Sequence, residues 1–151
     1  REGELLAPRL TRVKVDEAPT AEPIDPDRTV LITGGLSGLG ALIARHLAAT
    51  GQARHLLLVS RRGQEASGAE ELQTELEQLG AQVQIAACDV TDQSALENLF
   101  AAIPSEHPLG AIVHSAGALD DGVLDSMNPE RLAKTMAPKA TGAVLATSAA
   151  V

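Results

Sequence analysis

Eight residues, Thr33-Gly34-Gly35-Leu36-Ser37-Gly38-Leu39-Gly40, carry the spacing T-G-x-x-x-G-x-G between an apolar run, Thr29-Val30-Leu31-Ile32, and an amphipathic segment. Glycines at such a junction permit a tight turn and close backbone approach. The helix that follows presents free N–H groups and the positive end of its dipole, which suits a pyrophosphate. A glycine cluster that merely packs is the plainer alternative, but placement between strand and helix favours a nucleotide-binding loop.

Three further groups sit at the ends of apolar runs. Ser60-Arg61-Arg62 follows His55-Leu56-Leu57-Leu58-Val59. An acidic residue at that point would hydrogen-bond the ribose diol of NAD, whereas a basic pair suits the 2′-phosphate of NADP. One charge-assisted contact is worth about 1.5–3 kcal/mol, a preference of roughly tenfold to a hundredfold. A solvated basic pair at a strand end is the competing reading. Cys88-Asp89-Val90 closes the next run, Val83 to Ala87. There Asp89 could accept from the adenine amino group while Val90 packs on its ring, or Asp89 or Thr91 could serve as a helix cap. His114-Ser115-Ala116-Gly117 follows Ala111-Ile112-Val113, and its small residues let ribose and nicotinamide lie close to the backbone. His114 itself reads first as a core histidine bonded to a neighbouring strand. His46 and His55 fall on apolar faces and His107 in a loop, none with a partner at metal-ligand spacing, so no metal is assigned.

Elements that position these groups alternate between strand and helix. Leu39, Leu42, Ile43, His46 and Leu47 form one helical stripe, ended by Gly51; Leu72, Leu76 and Leu79 form the next, with Glu71, Glu75 and Glu77 on the wet side and Gly80 as the stop. Thr91 or Asp92 caps a third helix with the stripe Ala95, Leu96, Leu99, Phe100 and Ile103, and Asn128-Pro129-Glu130 starts a fourth. This order predicts an α/β fold, a Rossmann-like doubly wound parallel sheet, cut off after about four strands. Residues 1–27 hold four of the eight prolines among scattered acids and read as a linker, with Leu5 to Leu10 as the end of a preceding unit; 28–151 form the nucleotide-binding part.

Composition narrows the partners. The 151 residues are 44% apolar, enough for one core, and carry a net charge of −8. That charge disfavours nucleic acid and membrane surfaces, and no apolar run approaches spanning length. The single cysteine, Cys88, cannot form an internal disulfide, which fits a reducing, cytoplasmic setting. The chain has one phenylalanine and no tyrosine or tryptophan.

With the glycine loop, Ser60-Arg61-Arg62, Cys88-Asp89-Val90 and His114-Ser115-Ala116-Gly117 in this order, the chain resembles the ketoreductase domain of modular type I polyketide synthases, short-chain dehydrogenases/reductases. Arg54 to Gly63, Ile103 to Leu109 and Leu119-Asp120-Asp121-Gly122-Val123-Leu124 are similar to the same family, and Arg1 to Leu10 to the end of the structural subdomain preceding its catalytic one. The resemblance implies NADPH-dependent reduction of a β-ketoacyl chain carried by the phosphopantetheine of an acyl carrier protein, with the remaining synthase domains as partners. It implies a catalytic role for Lys139, in Pro138-Lys139-Ala140-Thr141-Gly142-Ala143; a lysine near a helix would otherwise read as a solvated surface residue. Leu119-Asp120-Asp121 resembles the L-D-D motif of B-type ketoreductases, with Asp121 diagnostic, against the alternative of an acidic surface loop. The family's serine, tyrosine and asparagine should follow Lys139, and Ser148 lies too close to be that serine. The 151 residues alone are therefore expected to be inactive. Two rival readings are a non-catalytic cofactor-binding or scaffolding remnant and an extended-type sugar-nucleotide epimerase, whose usual T-G-x-x-G-x-x-G spacing this loop lacks.

Overall fold

The computed structural model describes residues 23–148. Four strands form one parallel sheet: β1 (Thr29–Thr33), β2 (His55–Ser60), β3 (Gln82–Ala87) and β4 (Leu109–His114), in the spatial order β3-β2-β1-β4. Helices α1 (Gly38–Ala49), α2 (Ala69–Gln78) and α3 (Gln93–Ala101) link successive strands. After β4 come α4 (Pro129–Met136), a π-helical turn (Ala137–Thr141) and α5 (Gly142–Ser148). The expected Rossmann-like α/β architecture is present. The strand order reverses between β1 and β4, the place where such sheets open a ligand crevice at their carboxyl ends.

Alternation along the strands builds a core on each face of the sheet. Val30, Ile32, Leu56, Leu58 and Val83 pack with Ala41, Ala44, Leu47, Leu72 and Leu76 of α1 and α2. Leu31, Leu57 and Val59 point the other way, into Val90, Leu96 and Leu99, with Leu145 of α5 added. β1 is buried along its whole length, because β2 and β4 flank it and helices cover both faces. The stripe expected for α3 is the one that packs: Leu96 and Leu99 are buried, and Ala95, Phe100 and Ile103 lie against them. Asp92 is the cap of α3, its carboxylate accepting from Ala95 N. Asn128 caps α4 by accepting from Arg131 N, with Pro129 at the first turn, as its sequence predicts.

The stripe expected on α1 is rotated. Leu39 and Leu42 are 66% and 61% exposed and His46 is exposed, whereas Gly40, Ala41, Ala44, Leu47 and Ala48 face the sheet. Small side chains let the helix approach the strands, so the core contact falls on the alanines rather than on the bulkiest residues. Leu79 also differs from expectation. It lies past the last turn of α2 and is 44% exposed, leaving Leu72 and Leu76 as the helix's buried leucines. Glu75 is not simply wet: it pairs with Arg45 of α1 in a fork at 2.8–2.9 Å, which holds its carboxyl below the usual range. Of the segment read as a linker, residues 1–22 lie outside the described residues. Its end is docked, with Ile24 against the core and Pro26 O accepting from Arg54 N.

Two substitutions test the rotated face of α1. In this chain Leu58→Ala, at a fully buried position, should cost about 2–5 kcal/mol in a urea titration. Leu42→Ala should stay within about 0.5 kcal/mol. Comparable losses at both positions would restore the leucine stripe as the core contact.

Candidate functional site

At the carboxyl end of β1 three backbones meet with no room between them. A Cβ on Gly40, in the first turn of α1, would stand 2.4 Å from Gly34 O and 2.5 Å from Ser115 Oγ. One on Gly34 would stand 2.9 Å from Ser115 O, and one on Gly35 2.7 Å from Ile32 O. Gly34 and Gly38 also take φ of +64° and +52°, and a Cβ on Gly38 would meet nothing. Close packing thus explains Gly34, Gly35 and Gly40, whereas Gly38 turns the chain above an open space at the start of α1. Ser37, the cap of α1, makes no side-chain capping bond among the described residues. Leu36 buries its side chain in the core, and Leu39 turns its side chain to solvent, so each can meet a ligand here chiefly through its backbone.

Thr33 and the end of β4 are stitched together. Ser115 Oγ and Ser115 N both donate to Thr33 O, at 2.7 and 3.1 Å. Thr33 Oγ1, fully buried, lies 2.9 Å from His114 Nδ1 and accepts from Ala116 N at 3.2 Å. His114 Nε2 lies 2.8 Å from Pro138 O. His114 is half-buried and bonded to the neighbouring strand as the plainer reading expects, and with both ring nitrogens engaged it has no polar ring atom left for a cofactor. Ala116 and Gly117 carry the chain across the crevice.

Arg61 and Arg62 occupy the turn after β2, exposed and without an ion pair to any described residue. That turn is braced: Ser60 Oγ accepts from Gly63 N, and Gly63 sits so close to β3 that a Cβ would stand 2.8 Å from Ala87 N. Asp89 is next door. Its carboxyl is held below the ordinary aspartate range by Thr91, whose backbone N–H and then hydroxyl donate to it, and more weakly by the Arg61 charge. Asp89 therefore ties a local turn and stays ionised, while Asp92 does the capping. Val90 is buried, its Cγ2 packed where a Cβ on Gly142 would fall, so little of its side chain remains to lie on a ring. Burial pushes the Cys88 thiol up, which makes it a packing group rather than a nucleophile.

Lys139 approaches the loop after β4 from the segment that follows α4. Pro138 lacks an N–H and cannot continue an α-helical ladder, and the chain widens there into the π-turn in which Gly142 N bonds to Ala137 O. A Cβ on Gly117 would stand 3.5 Å from Lys139 Cε, so the lysine stem lies over the end of the β4 loop. Leu119, Asp120 and Asp121 follow in the same loop. Arg131 of α4 clasps it, binding the Asp120 carboxylate through Nε and Nη2, Asp121 O at 3.0 Å, and Ser126 through Nη1. Asp121 leaves its carboxylate unbonded among the described residues, while Leu119 is exposed. Arg131 escaped the sequence reading, as did the bond of His114 to the Pro138 carbonyl: nothing local to either residue signals a partner eleven or twenty-four positions back. Among the described residues no group of three His, Cys, Asp or Glu could hold a metal ion, and no helix is long and apolar enough to cross a membrane. His55 and His107 instead stack on each other at 3.5 Å between ring centres, beside β2 and the start of β4.

Residues 28–150 match the family described as KR domain. The chain is 51% identical over 139 residues to the spectinabilin polyketide synthase system protein NorA' of Streptomyces orinoci, covering 92% of this chain and 4% of the relative. It is 52% identical over 122 residues to the pikromycin polyketide synthase component PikAII of Streptomyces venezuelae, covering 81% and 3%. Among solved structures, A-type ketoreductases from a modular polyketide synthase align with a TM-score of 0.77 at 44% identity, covering 87% of this chain and 28% of theirs. The ketoreductase from the first module of phoslactomycin biosynthesis in Streptomyces sp. HK803 aligns at 0.79 and 40%, covering 88% and 31%. The chain thus spans a few per cent of these curated relatives and under a third of these solved ones.

The clasp on the loop has a measurable signature. Arg131, by hydrogen bonding and then by charge, holds the Asp120 carboxyl below its ordinary value. A depressed folded-state value means stabilisation that is present above the unfolded aspartate range and lost as pH falls through the folded value. Carboxyl-carbon NMR should show Asp120 titrating below the usual aspartate range, and rising towards it in Arg131→Gln. An Asp120 titration unmoved by that substitution would remove the clasp.

Proposed function

The chain belongs to the KR domain family, and on that premise we propose that it forms the cofactor-binding part of an NADPH-dependent ketoreductase within a polyketide synthase. Its substrate is a β-ketoacyl chain held on an acyl carrier protein, and its product the β-hydroxyacyl thioester. The observation that carries this reading is convergence at the β1/β4 switch point. The open turn at Gly38 follows β1, Arg61 and Arg62, without an ion pair among the described residues, follow β2, and Asp89 follows β3, so all three groups lie at strand carboxyl ends, while the Lys139 stem lies beside Gly117 after β4. These groups fit the cofactor: the turn after β1 offers backbone N–H donors of the kind a pyrophosphate needs, and two guanidinium groups without an ion pair among the described residues follow β2, the strand end that suits a 2′-phosphate in this fold.

When bound, NADPH supplies the hydride that reduces the carbonyl. Arg61 and Arg62 would hold the 2′-phosphate, Gly34 to Gly40 the pyrophosphate, and the Ser115 to Gly117 backbone the ribose and nicotinamide. Lys139 places a positive charge over that end of the crevice, where it assists the group that delivers a proton to the carbonyl oxygen. The resemblance makes a tyrosine that proton donor, and the 151 residues contain no tyrosine. The acyl carrier protein and the remaining synthase domains are the partners, and the setting is cytoplasmic. Leu119-Asp120-Asp121 marks the domain as B-type: Arg131 takes up Asp120 and leaves Asp121 available to a substrate entering past the loop.

Replacing both Arg61 and Arg62 with alanine in the complete ketoreductase domain should weaken NADPH binding by at least about tenfold to a hundredfold while NADH binding changes little. Fluorescence titration with each cofactor reads the difference, and equal losses would reassign the arginines to structure. The isolated 151-residue chain, as a control, should oxidise no NADPH. Chiral chromatography of the complete domain's product should give the D-configured β-hydroxy thioester; the L product would sink the B-type assignment.

A further inference from the structure

We propose that His114 is a positioning residue that holds Lys139 in place by donating to the carbonyl of Pro138, the bond from Thr33 serving to fix the ring tautomer that makes Nε2 the donor. This rests on the reading of Lys139 given above. A carbonyl oxygen only accepts, so at 2.8 Å from Pro138 O the His114 Nε2 must carry its hydrogen and donate it. In the neutral ring, Nδ1 is then an acceptor, and Thr33 Oγ1, 2.9 Å away, donates its hydrogen there. The Thr33 oxygen in turn accepts from Ala116 N. Every group is used in one direction, and the network thereby assigns the tautomer.

The far end of this network lies where Lys139 is set. In an α-helix Gly142 N would bond to Pro138 O, but in the π-turn it bonds to Ala137 O instead. His114 donates to Pro138 O from outside the helix, one residue before Lys139. It thereby ties the widened turn to β4, and through Thr33 to the strand that launches the glycine loop. Lys139 has a four-carbon stem with free rotors, and a tether at the adjacent peptide fixes where that stem starts. Displacing a reacting or assisting group by about 1 Å can lower a rate by roughly a hundredfold.

Two substitutions separate the ends of the clasp. Asparagine places its amide oxygen near the position of Nδ1, keeping the acceptor for Thr33 and losing the donor to Pro138. Glutamine places its amide nitrogen near that of Nε2, keeping the donor and losing the acceptor. Steady-state kinetics and hydrogen–deuterium exchange are read on the complete ketoreductase domain. For His114→Asn we expect kcat to fall about 10- to 100-fold with KM for NADPH within about threefold. Amides at 137–142 should exchange faster while β1 and β2 stay protected. For His114→Gln, kcat within about threefold of the wild type and wild-type exchange at 137–142 are expected. Equal kcat losses in the two variants, or exchange raised across the whole sheet, would overturn the clasp in favour of a structural histidine. Should His114→Asn fail to fold, His114→Gln decides alone: fast exchange at 137–142 refutes the clasp, and protection there supports it. A wild-type domain that oxidises no NADPH rejects the ketoreductase reading, whereas the exchange contrast judges the clasp by itself.

Discussion

Everything in this site depends on the absence of Cβ atoms where β1 ends. Gly34, Gly40 and Ser115 bring the turn after β1, the first turn of α1 and the loop after β4 into contact at separations that no side chain could share. Gly34 meets Ser115 and Gly40 meets Gly34 backbone on backbone, and the small Ser115 hydroxyl fills the space beside Gly40, so the β4 loop lies against the start of α1 over a floor made largely of peptide groups. A floor of that kind can meet an anionic pyrophosphate closely, and its donors are already held in place before any ligand arrives. The core serves the same end. Val30, Leu31 and Ile32 are fully buried, which makes β1 a rigid mount for the turn that follows it.

The residues that bear charge around this floor are positioned by tethers of different stiffness. Arg61 and Arg62 sit on a short turn pinned by Ser60 and Gly63 against β3, and their own side chains form no ion pair among the described residues. Lys139 is set on a widened helical turn tied through His114 and Thr33 to the centre of the sheet. Asp120 is held by Arg131 at a largely exposed loop, where the pairing depends on carboxylate ionisation and the surrounding apolar residues Leu119, Val123 and Leu124 stand in solvent. Stiffness falls from the glycine floor to this loop.

Much of the fold was legible in order and spacing. Four apolar runs separated by helical stripes give the alternation that yields a parallel sheet, and Asn128-Pro129 announces its helix because capping and the proline restriction act within a few residues. The rotation of α1 was not legible. Leu39 and Leu42 fit an apolar stripe as well as Ala41, Ala44 and Ala48 do, and only the closeness of α1 to the strands, permitted by Gly40, selects the small residues. Periodicity shows that a helix has a buried side; the depth of contact decides which side it is.

The candidate site divides along the same line. Composition, the glycine spacing and the residues that end each apolar run determined that this chain is a nucleotide-binding α/β protein with Arg61, Arg62 and Asp89 at its crevice, because strand ends in a doubly wound sheet converge by topology. Tertiary structure alone decided what each polar group is free to do. It committed both nitrogens of His114 to Thr33 and Pro138, put Val90 against Gly142, gave Asp120 to Arg131 and left Asp121 unbonded among the described residues. A hydrogen bond is spent on whichever partner the fold brings within about 3 Å, and partners 11, 24 or 81 residues apart along the chain leave no local trace in the sequence.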